Sequence, residues 1–258
     1  MKLRDDISLA QWSLIDEWRA EQWKTLDFPR LAREDFDLNG VEFVNTLFEV
    51  PTENYLKQLK ANAAAHGITM VLIMVDDEGD GCAPTREGRE EFATFHRKWI
   101  DIAHYLDCPA IRTNCRGPHH VDRSDALDWA AESYHRLLEY AKPAGISILI
   151  ENHGGISNDA DWMVDLMKAV DDPFFGTYPD WREPSPEFDN LTYLLKTLPY
   201  AKGMSYRNQP TDEGTIEMIE MSRRSGFHGW YGIESGGRDQ IRKAISLLKT
   251  HLPETPRL

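Results

Sequence analysis

The chain offers little sulfur chemistry. Its 258 residues include three cysteines, Cys82, Cys108 and Cys115. None lies in a Cys-x-x-Cys pair, so neither a disulfide framework nor a zinc site is indicated. Basic charge is also scarce: 29 Lys and Arg stand against 43 Asp and Glu, a formal net charge of −14. Phosphate binding needs a basic surface, which argues against a nucleic-acid partner. No apolar run approaches the ~20 residues that span a bilayer, which argues against a membrane partner. The start, Met1-Lys-Leu-Arg-Asp-Asp, lacks the long apolar segment of a secretory signal. A soluble chain in a reducing, cytoplasmic compartment is expected. No linker, charge block or low-complexity segment divides the sequence, so one domain over 1–258 is expected, with the tail 253–258 frayed.

What is present is a succession of short apolar runs. They are Ile7–Trp12, Gly40–Asn45, Gly67–Val75, Pro109–Asn114, Gly145–Glu151, Phe175–Asp180, Ala201–Arg207 and Gly229–Glu234. Several begin on glycine, the residue a helix uses at its C-terminus before the chain turns. Between them lie segments with apolar residues on a 3.6-residue period: Glu53–His66, Glu90–Leu106, Ala126–Ala141, Trp162–Val170, Leu191–Leu198, Thr215–Ser225 and Asp239–His251. Strands alternating with helices imply parallel pairing. Eight strand candidates in a chain of 258 residues match the size of a (β/α)8 TIM barrel. An open doubly wound sheet is the competitor. It usually carries a Gly-rich phosphate turn after its first strand, and Trp12-Ser-Leu-Ile-Asp offers none.

In a barrel the carboxyl ends of the strands share one mouth, where sites are built. The most telling end is Ile146-Ser-Ile-Leu-Ile-Glu-Asn-His-Gly-Gly155, a β-branched run that stops in two titratable side chains. Alternation along the strand puts Glu151 and His153 on one side, with Asn152 opposed. Other ends contribute Trp12, Asn45, Asp76 with Asp77, Arg112 with Asn114, Asp180, Ser205 with Arg207, and Glu234. Three later runs each end in a carboxylate: Glu151, Asp180 and Glu234. Burying a carboxylate alone is costly. A divalent cation with oxygen ligands, Mg²⁺ or Mn²⁺, would relieve that cost. So would pairing with Arg112, Arg116, Arg182 or Arg207. Arg112 and Arg207 are equally suited to hold a substrate's hydroxyls or phosphate.

These segments resemble the sugar phosphate isomerase/epimerase family of the xylose isomerase-like TIM barrel superfamily. The resemblance runs from Ile7 to about Gly237. It is carried by Gly40-Val-Glu-Phe-Val-Asn45, Val71-Leu-Ile-Met-Val-Asp76, Ile111-Arg-Thr-Asn114, Ile150-Glu-Asn-His-Gly-Gly155, Gly176-Thr-Tyr-Pro-Asp180, Ala201-Lys-Gly-Met-Ser205 and Gly232-Ile-Glu234. It implies a divalent metal, Mn²⁺ or Mg²⁺ for this chain, held by Glu151, Asp180 and Glu234. The seventh strand carries Ser205 where many members have a histidine ligand. The sixth continues Asp180-Trp-Arg-Glu where relatives tend to have Asp-Phe-Gly-Asn, which places Trp181 and Arg182 at the mouth.

The same resemblance implies isomerisation or epimerisation of a sugar or keto-sugar. A proton leaves the carbon beside a carbonyl, and the metal steadies the enediolate. Glu151 and Glu234 would be the acid/base pair. His153, Arg112, Asn114, Arg207 and Trp12 would contact substrate, with His153 equally suited to a supporting role. His119 and His120 follow the fourth strand; they could reach the mouth and replace the missing nitrogen ligand, but a solvated loop pair is the favoured reading. A lyase or hydratase acting on a 3-keto-glycoside would use the same site. A non-catalytic member that has lost full metal ligation is a further alternative. DNA repair of the endonuclease IV kind is set aside, since it relies on a histidine-rich three-zinc site and a basic groove. Family members are often dimers or tetramers, so the resemblance allows a homo-oligomer, but the sequence shows no interface.

Overall fold

Each of the eight apolar runs becomes a parallel strand in the computed structural model, which describes residues 6–182, 185 and 188–252. The strands are β1 (Asp6–Ala10), β2 (Gly40–Val44), β3 (Thr69–Met74), β4 (Ala110–Thr113), β5 (Ser147–Ile150), β6 (Phe175–Thr177), β7 (Met204–Tyr206) and β8 (Trp230–Ile233). They lie in the order β6-β5-β4-β3-β2-β1-β8-β7. The seam between β6 and β7 carries two isolated bridges, Thr177 to Ala201 and Asp180 to Ser205. The result is a nearly closed (β/α)8 barrel. The expectation for residues 253–258 lies outside the described residues.

The helices are α1 (Ile15–Arg19), α2 (Phe28–Phe36), α3 (Glu53–Ala65), α4 (Arg86–Tyr105), α5 (Arg123–Ala141), α6 (Ala160–Val170), α7 (Asn190–Thr197), α8 (Asp212–Arg224) and α9 (Arg238–His251). Thr52, Thr85, Asp122, Asp159, Asp189 and Thr211 cap six of them, each accepting a bond from a first-turn backbone N–H. Gly67 and Gly145, at φ of 62° and 73°, turn the chain from a helix toward β3 and β5. The sequence reading did not identify α1 or α2. In α2 the apolar residues Phe28, Leu31, Ala32 and Phe36 are all buried, and Pro29 sits in the first turn, where its missing N–H costs nothing. No described helix is long and apolar enough to cross a membrane. All three cysteines are buried and free.

The barrel interior holds a carboxylate that composition and spacing did not single out. Glu42, in the middle of β2, is fully buried. Ser8 of β1 donates to it at 2.7 Å, and the Tyr178 hydroxyl donates to its other oxygen. Room for it comes from β8, where any side chain at Gly232 would overlap the Glu42 carboxylate. Burial pushes the Glu42 carboxyl up to about 7, against the lowering effect of Tyr178 and Ser8. A carboxyl that binds its proton more tightly when folded stabilises the fold fully at low pH. That contribution is lost as pH rises from the ordinary value of 4.5 through about 7. Glu42→Gln should therefore gain melting temperature relative to the parent as pH goes from about 5 to about 8. Calorimetric melts across that range check it, and a constant difference would show that Glu42 does not titrate there.

Candidate active site

The ends of β2 and β5 each carry an asparagine that clasps the next strand end. Asn45 Nδ2 donates to the Asp76 carbonyl at 2.8 Å, and the Asp76 N–H donates back to Asn45 Oδ1 at 2.8 Å. Asn152 repeats the pattern: its Nδ2 donates to the Asp180 carbonyl at 2.9 Å and its Oδ1 accepts from the Asp180 N–H at 2.7 Å. Each amide satisfies two backbone groups that have run past the sheet ladder. Each also fixes where the carboxylate of the next strand end begins. The opposition of Asn152 to Glu151 follows from strand alternation, as the sequence suggested.

Two guanidiniums organise the carboxylates. Arg112 of β4 donates to Asp76 Oδ1 at 2.6 Å and to Asn114 Oδ1 at 3.2 Å. Its Nε lies 2.7 Å from Glu151 Oε2. That approach is close enough for an ion pair, but the N–H is not directed at the oxygen, so Oε2 is buried without a hydrogen-bond donor. Arg207, just past β7, donates through Nε to Asp180 Oδ1 at 2.6 Å and through Nη2 to Glu234 Oε1. Its Nη1 reaches the Glu234 carbonyl at 3.3 Å, and Ser205 Oγ donates to Glu234 Oε2 at 3.0 Å. Ser205 and Arg207 are two residues apart and face the same way.

These surroundings separate the acids. Burial pushes the Glu151 carboxyl up to about 8, Arg112 opposes the shift, and Asp180 and Glu234 reinforce it. Burial also raises Glu234, against Arg207. For Asp76 burial acts upward, but Arg112 and the bond from Asn114 outweigh it and hold the carboxyl below its usual range. Burial, with Arg112 and Arg116 nearby, lowers the His153 imidazole to about 4, so it is neutral at physiological pH. Its Nδ1 accepts from Arg116, which leaves the ring proton on Nε2.

A cavity of about 480 Å³ opens at this end of the barrel, within the usual range for small-molecule sites. His153, Asp180, Arg207 and Glu234 line it, as does Arg182. Four further lining residues escaped the sequence reading: Asn208, Ser235, Gly236 and Gln240. The chain around Glu234 held their one signal, since Ser235-Gly-Gly directly follows a strand end. Glu151, Arg112 and Asn114 are drawn together one layer deeper, at 1%, 1% and 8% exposure. Arg112 therefore meets Asp76 and Glu151, and the wall of the cavity is formed without it. Trp12 is a partly buried residue packed against the core, and it does not line the cavity. Trp181 turns away from the mouth altogether: it is fully buried, 4.9 Å from the Tyr206 ring and 6.3 Å from that of Tyr231. His119 and His120 are exposed.

The family can now be stated. Residues 30–251 match the profile of the xylose isomerase-like TIM barrel family. The chain belongs to that family. No curated protein matches it by sequence. Solved structures similar to it include a D-tagatose 3-epimerase-like protein, at 14% identity and a TM-score of 0.76 over 96% of this chain and 97% of that one. The 3-keto-D-glucoside 4-epimerase of E. coli is 14% identical, with a TM-score of 0.74 over 96% and 100%. A xylose isomerase-like TIM barrel protein from Mycobacterium smegmatis, solved in complex with magnesium, is 16% identical, with a TM-score of 0.68 over 96% and 98%. At these identities the likeness is one of fold.

Within this xylose isomerase-like barrel, the side chains do not fit the expected divalent metal. The inner oxygens of Asp180 and Glu234 are both taken by Arg207. The hydroxyl at the seventh strand donates to Glu234 and brings no nitrogen ligand. Among the described residues no three His, Cys, Asp or Glu side chains are grouped so as to hold a metal ion. The position of Asp180 depends on the Asn152 amide. Asn152→Ala should cost about 1–3 kcal/mol for each of the two buried backbone groups it leaves unpaired. Urea unfolding measures this, and a loss below about 0.5 kcal/mol would mean that the clasp is dispensable.

Proposed function

We propose that this chain is an isomerase or epimerase of a small sugar or keto-sugar, moving a proton at the carbon beside a carbonyl. Glu151 and Glu234 are the acid/base pair. The observation that carries this reading is the placement of two carboxyls in one charge cluster: Glu234 on the cavity wall, and Glu151 buried behind it with one oxygen lacking a donor, where burial pushes its carboxyl up to about 8. Such a group can hold and release a proton close to neutral pH, which general acid–base catalysis requires. The names of two fold neighbours, a tagatose epimerase-like protein and a keto-glucoside epimerase, support the same class of chemistry.

In this reading Glu234, on the cavity wall, takes the proton from carbon, and the electron pair moves onto the carbonyl oxygen. The oxyanion is met by the Arg207 guanidinium on the cavity wall. The returning proton is the one held on Glu151, one layer below the wall in the same charge cluster, so the reacting carbon must sit at the floor of the cavity. Neutral His153 presents its Nε2–H to a substrate hydroxyl, and Arg112 holds Asp76 and Glu151 in place from behind. The expected Mn²⁺ or Mg²⁺ takes no part, because its ligands are engaged.

Incubation with ketohexoses, pentuloses and 3-keto-glycosides in deuterated water should exchange one carbon-bound hydrogen of the true substrate. Glu151→Gln and Glu234→Gln should each lower that exchange by about 10²–10⁴-fold with melting temperatures little changed. Full exchange in either variant would sink the assignment. Product spectra read the alternatives directly: a cleaved or dehydrated product gives the lyase reading, and no exchange with any sugar gives the non-catalytic one.

A further inference from the structure

Among the described residues, the cation that touches both Asp180 and Glu234 is a side chain of the protein itself. Arg207, just past β7, reaches the end of β6 on one side and the end of β8 on the other. Its Nε meets Asp180 Oδ1 at 2.6 Å, and its Nη2 meets Glu234 Oε1. Those are two of the three carboxylates that a divalent ion would have to bridge. A guanidinium and a metal ion cannot share the same oxygens at contact distance, since the two cations repel strongly in a partly buried site. Ser205, on the same face two residues earlier, spends its hydroxyl proton on Glu234 Oε2. The Glu234 carboxylate is thus occupied at both oxygens, by a cation at one and a neutral donor at the other.

Arg112 does the same for the other two acids of the cluster, lying between Asp76 and Glu151. A metal site needs the opposite arrangement, with the carboxylate oxygens free.

We propose that Arg207 is a built-in replacement for the divalent cation, so that this barrel works without a metal and meets the substrate oxygen with a guanidinium. The role given to Arg207 toward substrate rests on the reaction proposed above; the displacement of the metal does not. The test therefore reads binding and not turnover. Purified protein is titrated with Mn²⁺ alone, and free Mn²⁺ is followed by electron paramagnetic resonance. The parent chain should take up no stoichiometric Mn²⁺. Arg207→Ala, which frees Asp180 and Glu234, should bind one Mn²⁺ per chain at least ~100-fold more tightly than the parent. Adding Ser205→His to it should tighten binding further. Arg207→Met, which keeps the stem over the cavity, serves if the alanine variant does not fold. One tightly held Mn²⁺ in the parent, lost in Glu234→Gln, would overturn the proposal. So would folded Arg207 variants that bind Mn²⁺ no better than the parent. Either result leaves the acid/base assignment of Glu151 and Glu234 to stand or fall on deuterium exchange.

Discussion

Four carboxylates meet at one end of this barrel, and water is largely excluded from them. Isolated, each would face a desolvation penalty of several kcal/mol. Arg112 and Arg207 make the arrangement possible by each lying between two acids from different strand ends. Everything chemical in the site follows from this sharing. Arg112 favours Asp76 with an aligned hydrogen bond and leaves Glu151 with an oxygen that no donor meets. Asp76 stays ionised, and Glu151 becomes the acid that keeps its proton near neutrality. Two carboxyls on one cation thus acquire different roles from environment alone.

The same contacts finish the barrel. The β6–β7 seam has only isolated bridges where other neighbours have ladders. Across it run the Arg207–Asp180 ion pair, the bond from the Ser205 N–H to the Pro179 carbonyl, and the bond from Gln209 to the Trp181 carbonyl. Trp181, Tyr206 and Tyr231 pack beneath that seam. Site and closure are therefore not separable here: loosening Arg207 loosens the least paired edge of the sheet.

The strands were legible because each is a short apolar run bounded by glycine or by a charge, and most helices because their period is clean. Helix α2 was overlooked, although Phe28, Leu31, Ala32 and Phe36 carry the period, because Pro29 and four charged residues interrupt it to the eye. Glu42 gave no signal, since one acid inside Gly-Val-Glu-Phe-Val reads as part of an apolar strand until Tyr178 and Gly232 are brought beside it. Strand position correctly gathered Glu151, Asp180 and Glu234 at one end. It could not say whether a metal or an arginine met them. Arg112 and Arg207 have long side chains whose direction is set by neighbours distant in sequence. For the same reason Trp181, expected at the mouth, is found in the core.

If two fixed guanidiniums, rather than a metal, set the protonation of the site, Glu151 holds its proton near neutral pH. Carbon-detected NMR of glutamate-labelled protein, with Glu151 assigned from the spectrum of Glu151→Gln, measures that directly in chelator-treated buffer. The expected midpoint for the Glu151 carboxyl is about 8. A midpoint in the ordinary range, near 4.5, would contradict it.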